Sequence, residues 1–194
     1  MAMKKAKKAA AKSKAPAKKM MSKKSPAKAK KSVSTKSSSA SPLQSSAGSS
    51  RPKWVPPGAN PLSPILVLKN VEAALDFYQK AFGFKLRNVM RGPDNSILHA
   101  EMTHVDSNIM MGPESPERGA FAPTGPSPVT LYILVADVDA ISDQARLHGG
   151  NIVQPPTDMF WGDRTAVIID PEGHKWMVAT HVKDIPFDQM EMPS

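Results

Sequence analysis

The sequence predicts an α+β domain made of two copies of one βαβββ module, with a curved mixed sheet wrapped around one cleft and a disordered basic tail ahead of it. Three observations carry that expectation: an internal repeat at an offset of 67 residues, a helical apolar stripe between Asn70 and Gly83, and a block of fourteen lysines with no acidic residue before either module.

The repeat sets the architecture. Leu66-Val-Leu-Lys-Asn-Val-Glu-Ala-Ala-Leu-Asp76 lies over Ile133-Leu-Val-Ala-Asp-Val-Asp-Ala-Ile-Ser-Asp143, and Gly83 falls on Gly150. In each copy an apolar strand runs into a helix N-cap, Asn70 or Asp137, whose short side chain can accept from first-turn N–H groups. Val71, Ala74, Leu75, Tyr78 and Phe82 recur at helical spacing; Val138, Ile141 and Ala145 repeat the stripe more weakly. Each helix ends at glycine, Gly83 or Gly149-Gly150, where a left-handed cap costs no Cβ strain. Turn signals at Gly92-Pro-Asp-Asn, Val105-Asp-Ser-Asn and Asp170-Pro-Glu-Gly then divide the rest of each copy into short strands.

Charge marks where the tail ends. Residues 1–50 carry +14, while the rest holds 12 Lys and Arg against 17 Asp and Glu, giving the chain its +9. The folded part is therefore mildly acidic, and the basic balance says nothing about what the domain binds. Lys12–Lys19 and Lys23–Lys31 are near-repeats of Lys, Ala, Pro and Ser, and residues 32–50 turn Ser-rich. Such a segment buries too little apolar surface to offset the entropy of ordering. Its composition resembles the tails of linker histones and bacterial histone-like proteins, which implies nucleic acid or another polyanion as partner through residues 1–36. A solubilising tail and a targeting segment are the other uses of that composition. Residues 51–61, rich in proline, read as a stiff linker; the domain is expected over 62–183, with a C-terminal tail at 184–194.

The chain has no cysteine, so disulfides, thiolate nucleophiles and Cys-ligated zinc are excluded. No run approaches the roughly twenty apolar residues that cross a bilayer. A cytoplasmic protein without membrane contact is the expectation, with nucleoid or chromatin association through the tail.

The strand leading into Asn70-Val-Glu-Ala-Ala-Leu-Asp-Phe-Tyr78, the segment Phe160-Trp-Gly-Asp-Arg164, and Asp170-Pro-Glu-Gly-His-Lys-Trp176 together resemble the vicinal oxygen chelate superfamily of glyoxalases, bleomycin resistance proteins and dioxygenases, nearest its PhnB-like subgroup. The resemblance implies the glyoxalase/bleomycin resistance fold and a homodimer. It also implies four metal ligands, one from the first and last strands of each module, at Ser63, Met111, Thr130 and Met177. None of these offers the imidazole or carboxylate that a zinc, nickel, manganese or iron ion wants. No metal or other cofactor is therefore expected, unless a divalent ion sits at displaced ligands.

Strand alternation nominates the remaining site residues. His99, Glu101 and Thr103 share one face, and His99 with Glu101 can serve as a base and its orienting carboxylate or as displaced metal ligands. An edge-strand pair satisfied by solvent is the plainer use of the same residues. Ser63, Ile65, Met111, Thr130, Tyr132 and Met177 are expected to line an apolar pocket for a small organic molecule, with Trp161 beside it. Arg164 is placed either as an anchor for an anionic group or in a structural pair with Asp163 or Asp170. Three functions are compatible with these residues: a metal-independent small-molecule binder, a lyase, isomerase or dioxygenase with its site at His99 and Glu101, and a nucleic-acid-associated protein acting through its tail.

Overall fold

The computed structural model describes residues 52–125 and 127–191; the expected tail at 1–50 lies outside the described residues. The first module runs β1 (Ile65–Leu68), α1 (Val71–Phe82), β2 (Lys85–Arg91), β3 (Ile97–His104) and β4 (Ser107–Pro113). The second runs β5 (Thr130–Leu134), α2 (Val138–Leu147), β6 (Asn151–Asp158), β7 (Asp163–Ile169) and β8 (Lys175–His181). Each module forms a four-stranded mixed sheet, ordered β1-β4-β3-β2 and β5-β8-β7-β6, in which only the first strand pairs in parallel. Among the described residues no helix is long and apolar enough to cross a membrane.

The helix ends follow their sequence signals. Asn70 Oδ1 accepts from Ala73 N at 3.1 Å, and Asp137 Oδ1 accepts from Ala140 N at 3.0 Å. Gly83 closes α1 at φ 72°, and its N–H donates to the Tyr78 carbonyl. Glu172, from the β7–β8 turn of the other module, adds a carboxylate that accepts from the Lys69 and Asn70 amides, where helix α1 is electropositive.

The two modules share one apolar core. α1 packs against α2 as well as its own sheet, and Trp176 of β8 is fully buried among first-module rings, 5.2 Å from Phe82 and 5.5 Å from Tyr78. Asp170 explains how this core tolerates polar atoms: its Oδ2 accepts from Tyr78 Oη at 2.7 Å and Trp176 Nε1 at 2.8 Å, while Oδ1 accepts from the Glu172 and His174 amides. Burial, then the neighbouring Asp170 carboxylate, push the Tyr78 hydroxyl well above its ordinary range.

The Pro-rich segment before β1 is docked on the first module. Val55 is buried, and the Gly58 carbonyl accepts from Arg87 Nη1 at 2.7 Å and Asn108 Nδ2 at 2.9 Å. The outer strand β6 carries Pro155 and Pro156, whereas its counterpart β2 has no proline.

Candidate functional site

Each sheet has one face in the shared core and one open face, and alternation decides which side chain goes where. On β3, Ala100 and Met102 are fully buried under the helix, and His99, Glu101 and Thr103 face outward, as their spacing predicts. Met111 is a correction. It pairs with Leu66 and Ala100, both core residues, and is itself fully buried, so it belongs to the helix-covered face. Its neighbour Met110 pairs with Ile65 and Glu101 and takes the open face. Met110 is also the residue 67 positions before Met177, so the repeat offset itself identifies the equivalent pair.

With that correction, the four positions that the resemblance implies for metal ligands become Ser63, Met110, Thr130 and Met177. Two thioethers and two hydroxyls do not suit a hard or borderline divalent ion. Ser63 precedes β1, and its Oγ is buried with no hydrogen-bond partner among the described residues.

On the first sheet, Glu101 accepts from Asn88 Nδ2 at 2.9 Å and lies 3.7 Å from Arg87 Nε. His99 Nε2 is 3.6 Å from the other carboxylate oxygen, within ion-pair reach but beyond a hydrogen bond. The Asn88 hydrogen bond holds the Glu101 carboxyl below its usual range against the opposing effect of burial, with His99 and Arg87 adding to the lowering. Glu101 is therefore a carboxylate at neutral pH.

On the second sheet the open face gathers a polar cluster around Asp163. Tyr132 Oη donates to Asp163 Oδ2 at 2.5 Å, Trp161 Nε1 donates to the same oxygen at 3.2 Å, and His181 Nδ1 meets Oδ1 at 2.8 Å. The second ring nitrogen of His181 faces Asp184 at 3.2 Å. Burial works to raise the Asp163 carboxyl, but the bonds from Tyr132, His181 and Trp161 outweigh it and leave it below the usual carboxylate range. Burial, then the hydrogen bond to Asp163, push Tyr132 up to about 12. Tyr132 pairs in register with Met177, and Thr130 lies on the same face. Thr165, two residues from Asp163 on β7, is fully buried, and its hydroxyl has no hydrogen-bond partner among the described residues.

Tyr132, Thr130, Met177 and Trp161 are thus brought together, while Ile65 lies elsewhere, in a cavity of about 730 Å³ with Phe121, Pro128 and His174. Thr130 and Tyr132 also line a second cavity of about 690 Å³, with Leu62, Phe84 and His104. Arg164 joins neither. Its Nε and Nη2 grip both oxygens of Asp139 on α2 at 2.8 and 2.9 Å, and its Nη1 reaches Asp158 at 2.9 Å. Its partners are neither Asp163 nor Asp170, because alternation along β7 turns Arg164 away from Asp163, and Asp170 is occupied by Tyr78 and Trp176. Asp163 and His181 belong to this cluster although spacing alone did not nominate them for it; their signal was the shared face with Tyr132 once the β5-β8-β7 order is known.

This fold, with its paired βαβββ sheets, matches a known family. Residues 62–178 fit the model of the Glyoxalase/Bleomycin resistance protein/Dioxygenase superfamily, and the chain belongs to that superfamily. An uncharacterised protein of Mycobacterium bovis is 34% identical over 135 residues, covering 67% of this chain and 89% of the relative. Among solved structures, TioX from Micromonospora sp. ML1 is 25% identical with a TM-score of 0.51, covering 62% of this chain and 99% of TioX. A superfamily member from Sphaerobacter thermophilus shares the fold at 22% identity and a TM-score of 0.52, over 63% of this chain and 97% of that one.

Proposed function

We propose that the domain binds a small organic molecule on the open face of its second module, around Tyr132, without an ion at the positions used by the family's metalloenzymes. The observation that carries this reading is the convergence of Tyr132, Trp161 and His181 on Asp163, beside Thr130 and Met177. Asp163 already accepts three donors, so it acts as the fixed point that orients the other side chains. Tyr132, pinned through its hydroxyl, presents its ring and an acceptor oxygen; Met177 and Trp161 supply apolar surface. The adjoining cavity of about 690 Å³ falls in the size range of small-molecule sites.

The test is titration of the full chain with the fluorophore 1-anilinonaphthalene-8-sulfonate, alongside metal analysis of protein purified without chelator. Saturable binding that weakens in Tyr132→Ala and Met177→Glu, with no retained metal, supports the reading. An ion retained by the wild type and lost in His99→Ala or Glu101→Ala overturns it in favour of an enzyme centred on that pair, which shares an open face at 3.6 Å. A homodimer is part of the proposal, since Ile65 and Leu134 on the two first strands, and Val129 just before β5, are large apolar residues left exposed. The lysine-rich residues 1–36 are proposed to hold nucleic acid phosphates, with retention that falls steeply as salt rises.

A further inference from the structure

We infer that the open face of the first module contains a site for a small carboxylate, and that the chain's own Gly58 carbonyl occupies it in this conformation. The site is built from a bulge. Between Leu86 and Asn88 the β2–β3 register slips, so Arg87 pairs with no residue of β3. A bulge of this kind re-aims a side chain, and the Arg87 guanidinium meets the same oxygen as the amide of Asn108, a β4 residue only 7% exposed. A guanidinium and a buried amide converging on one oxygen is the donor arrangement that recognises a carboxylate. A backbone carbonyl is the weaker occupant, being neutral and single-oxygened.

The strap that supplies this carbonyl is lightly held. Pro56 and Pro57 have no N–H to give the sheet. Its other attachments are the buried Val55 side chain and Asn60 Nδ2, which donates to the Asp106 carbonyl at 3.0 Å. A cavity of about 620 Å³ lies beside it, lined by Asn60, Arg87, Thr103 and Asn108. The far side of Arg87 lies 3.7 Å from Glu101, which holds the guanidinium in place and offsets part of its charge. The second module has no counterpart: its equivalent bulge, between Ile152 and Gln154, carries the exposed Val153.

The strap can be loosened within the full chain. Gly58 sits at φ +73°, and a Cβ there would lie 3.0 Å from Arg87 Nη2, so Gly58→Ala strains the backbone and crowds the guanidinium. Val55→Asp is an independent release, through a charge placed in a buried site. The side-chain amide protons of Asn60 and Asn108, which donate to the Asp106 and Gly58 carbonyls, report by NMR whether the strap has lifted, and sodium benzoate is the probe, with benzamide as its neutral control. The expected result is benzoate affinity about tenfold or more above wild type in whichever variant lifts the strap, with benzamide unaffected. Adding Asn108→Ala to that variant should return benzoate affinity to the wild-type level.

A lifted strap with unchanged benzoate affinity overturns the inference, as does full retention of the gain after Asn108→Ala. Failure of both variants to lift the strap also overturns it, because the segment is then a fixed part of the fold. None of these outcomes depends on Tyr132, so the reading of the second module stands or falls separately.

Discussion

His104 Nε2 donates to the main-chain carbonyl of Leu134 across 2.8 Å, and this bond joins the last hairpin of the first module to the first strand of the second. The reverse link is present too: His174 Nε2 lies 3.0 Å from the carbonyl of Val67, and Val67 and Leu134 are equivalent positions of the repeat. Because a carbonyl only accepts, each ring carries its proton on Nε2. His104→Ala and His174→Ala should each cost about 0.5–1.5 kcal/mol in urea unfolding. His104→Ala should be the costlier, since its ring also lies 5.2 Å from that of Phe84.

Asp170 is where the core is most sensitive to a single change. Asp170→Ala strands the buried donors of Tyr78 and Trp176, each costing about 1–3 kcal/mol, and frees the turn amides of Glu172 and His174. Tyr78→Phe removes one donor and leaves Asp170 three, so it should cost about 1 kcal/mol. Thermal unfolding of the two variants should rank them in that order.

Acid and base should act on the Asp163 cluster from opposite sides. The hydrogen bond to Asp163 raises His181 above its ordinary 6.5 despite partial desolvation, and Asp184 adds to the effect. Stabilisation from protonated His181 is therefore complete below 6.5 and fades as pH rises through the raised folded value. Asp163 titrates below the carboxylate range, so its contribution is present at neutral pH and is lost only as pH falls through that lowered value. Proton NMR of His181 should show a midpoint above 6.5 that drops in Asp163→Asn.

Arg164 should behave as a brace. Arg164→Lys loses the two-pronged grip on Asp139 and should lower the urea midpoint slightly while leaving fluorophore binding at Tyr132 unchanged. A selective loss of binding without loss of stability would restore it as a ligand anchor.

Local signals survived translation into structure because each depends on neighbours in the chain. The caps at Asn70 and Asp137, the turn at Gly83 and the outward pair His99 and Glu101 all come from spacing of a few residues. Met111 failed for a reason of the same kind: one residue reverses the face of a strand, and the 67-residue offset points to Met110. The Asp163 cluster joins side chains from β5, β7 and β8, and no period along one strand encodes which strands are neighbours. Composition likewise reads Pro56-Pro57-Gly58 as a spacer, because the donors that hold Gly58 come from residues 29 and 50 positions away.

The prolines of β6 bear on how these chains can aggregate. A sheet edge recruits another strand through its free N–H groups; Pro155 and Pro156 have none, and the β6–β7 register breaks around them, between Gln154 and Thr157, on the outer strand of the second sheet. The outer strand of the first sheet, β2, has no proline but is broken by register shifts at Arg87 and between Met90 and Arg91. Neither outer edge therefore offers a second copy an unbroken row of N–H groups, which disfavours growth of a fibre by pairing of these two edges.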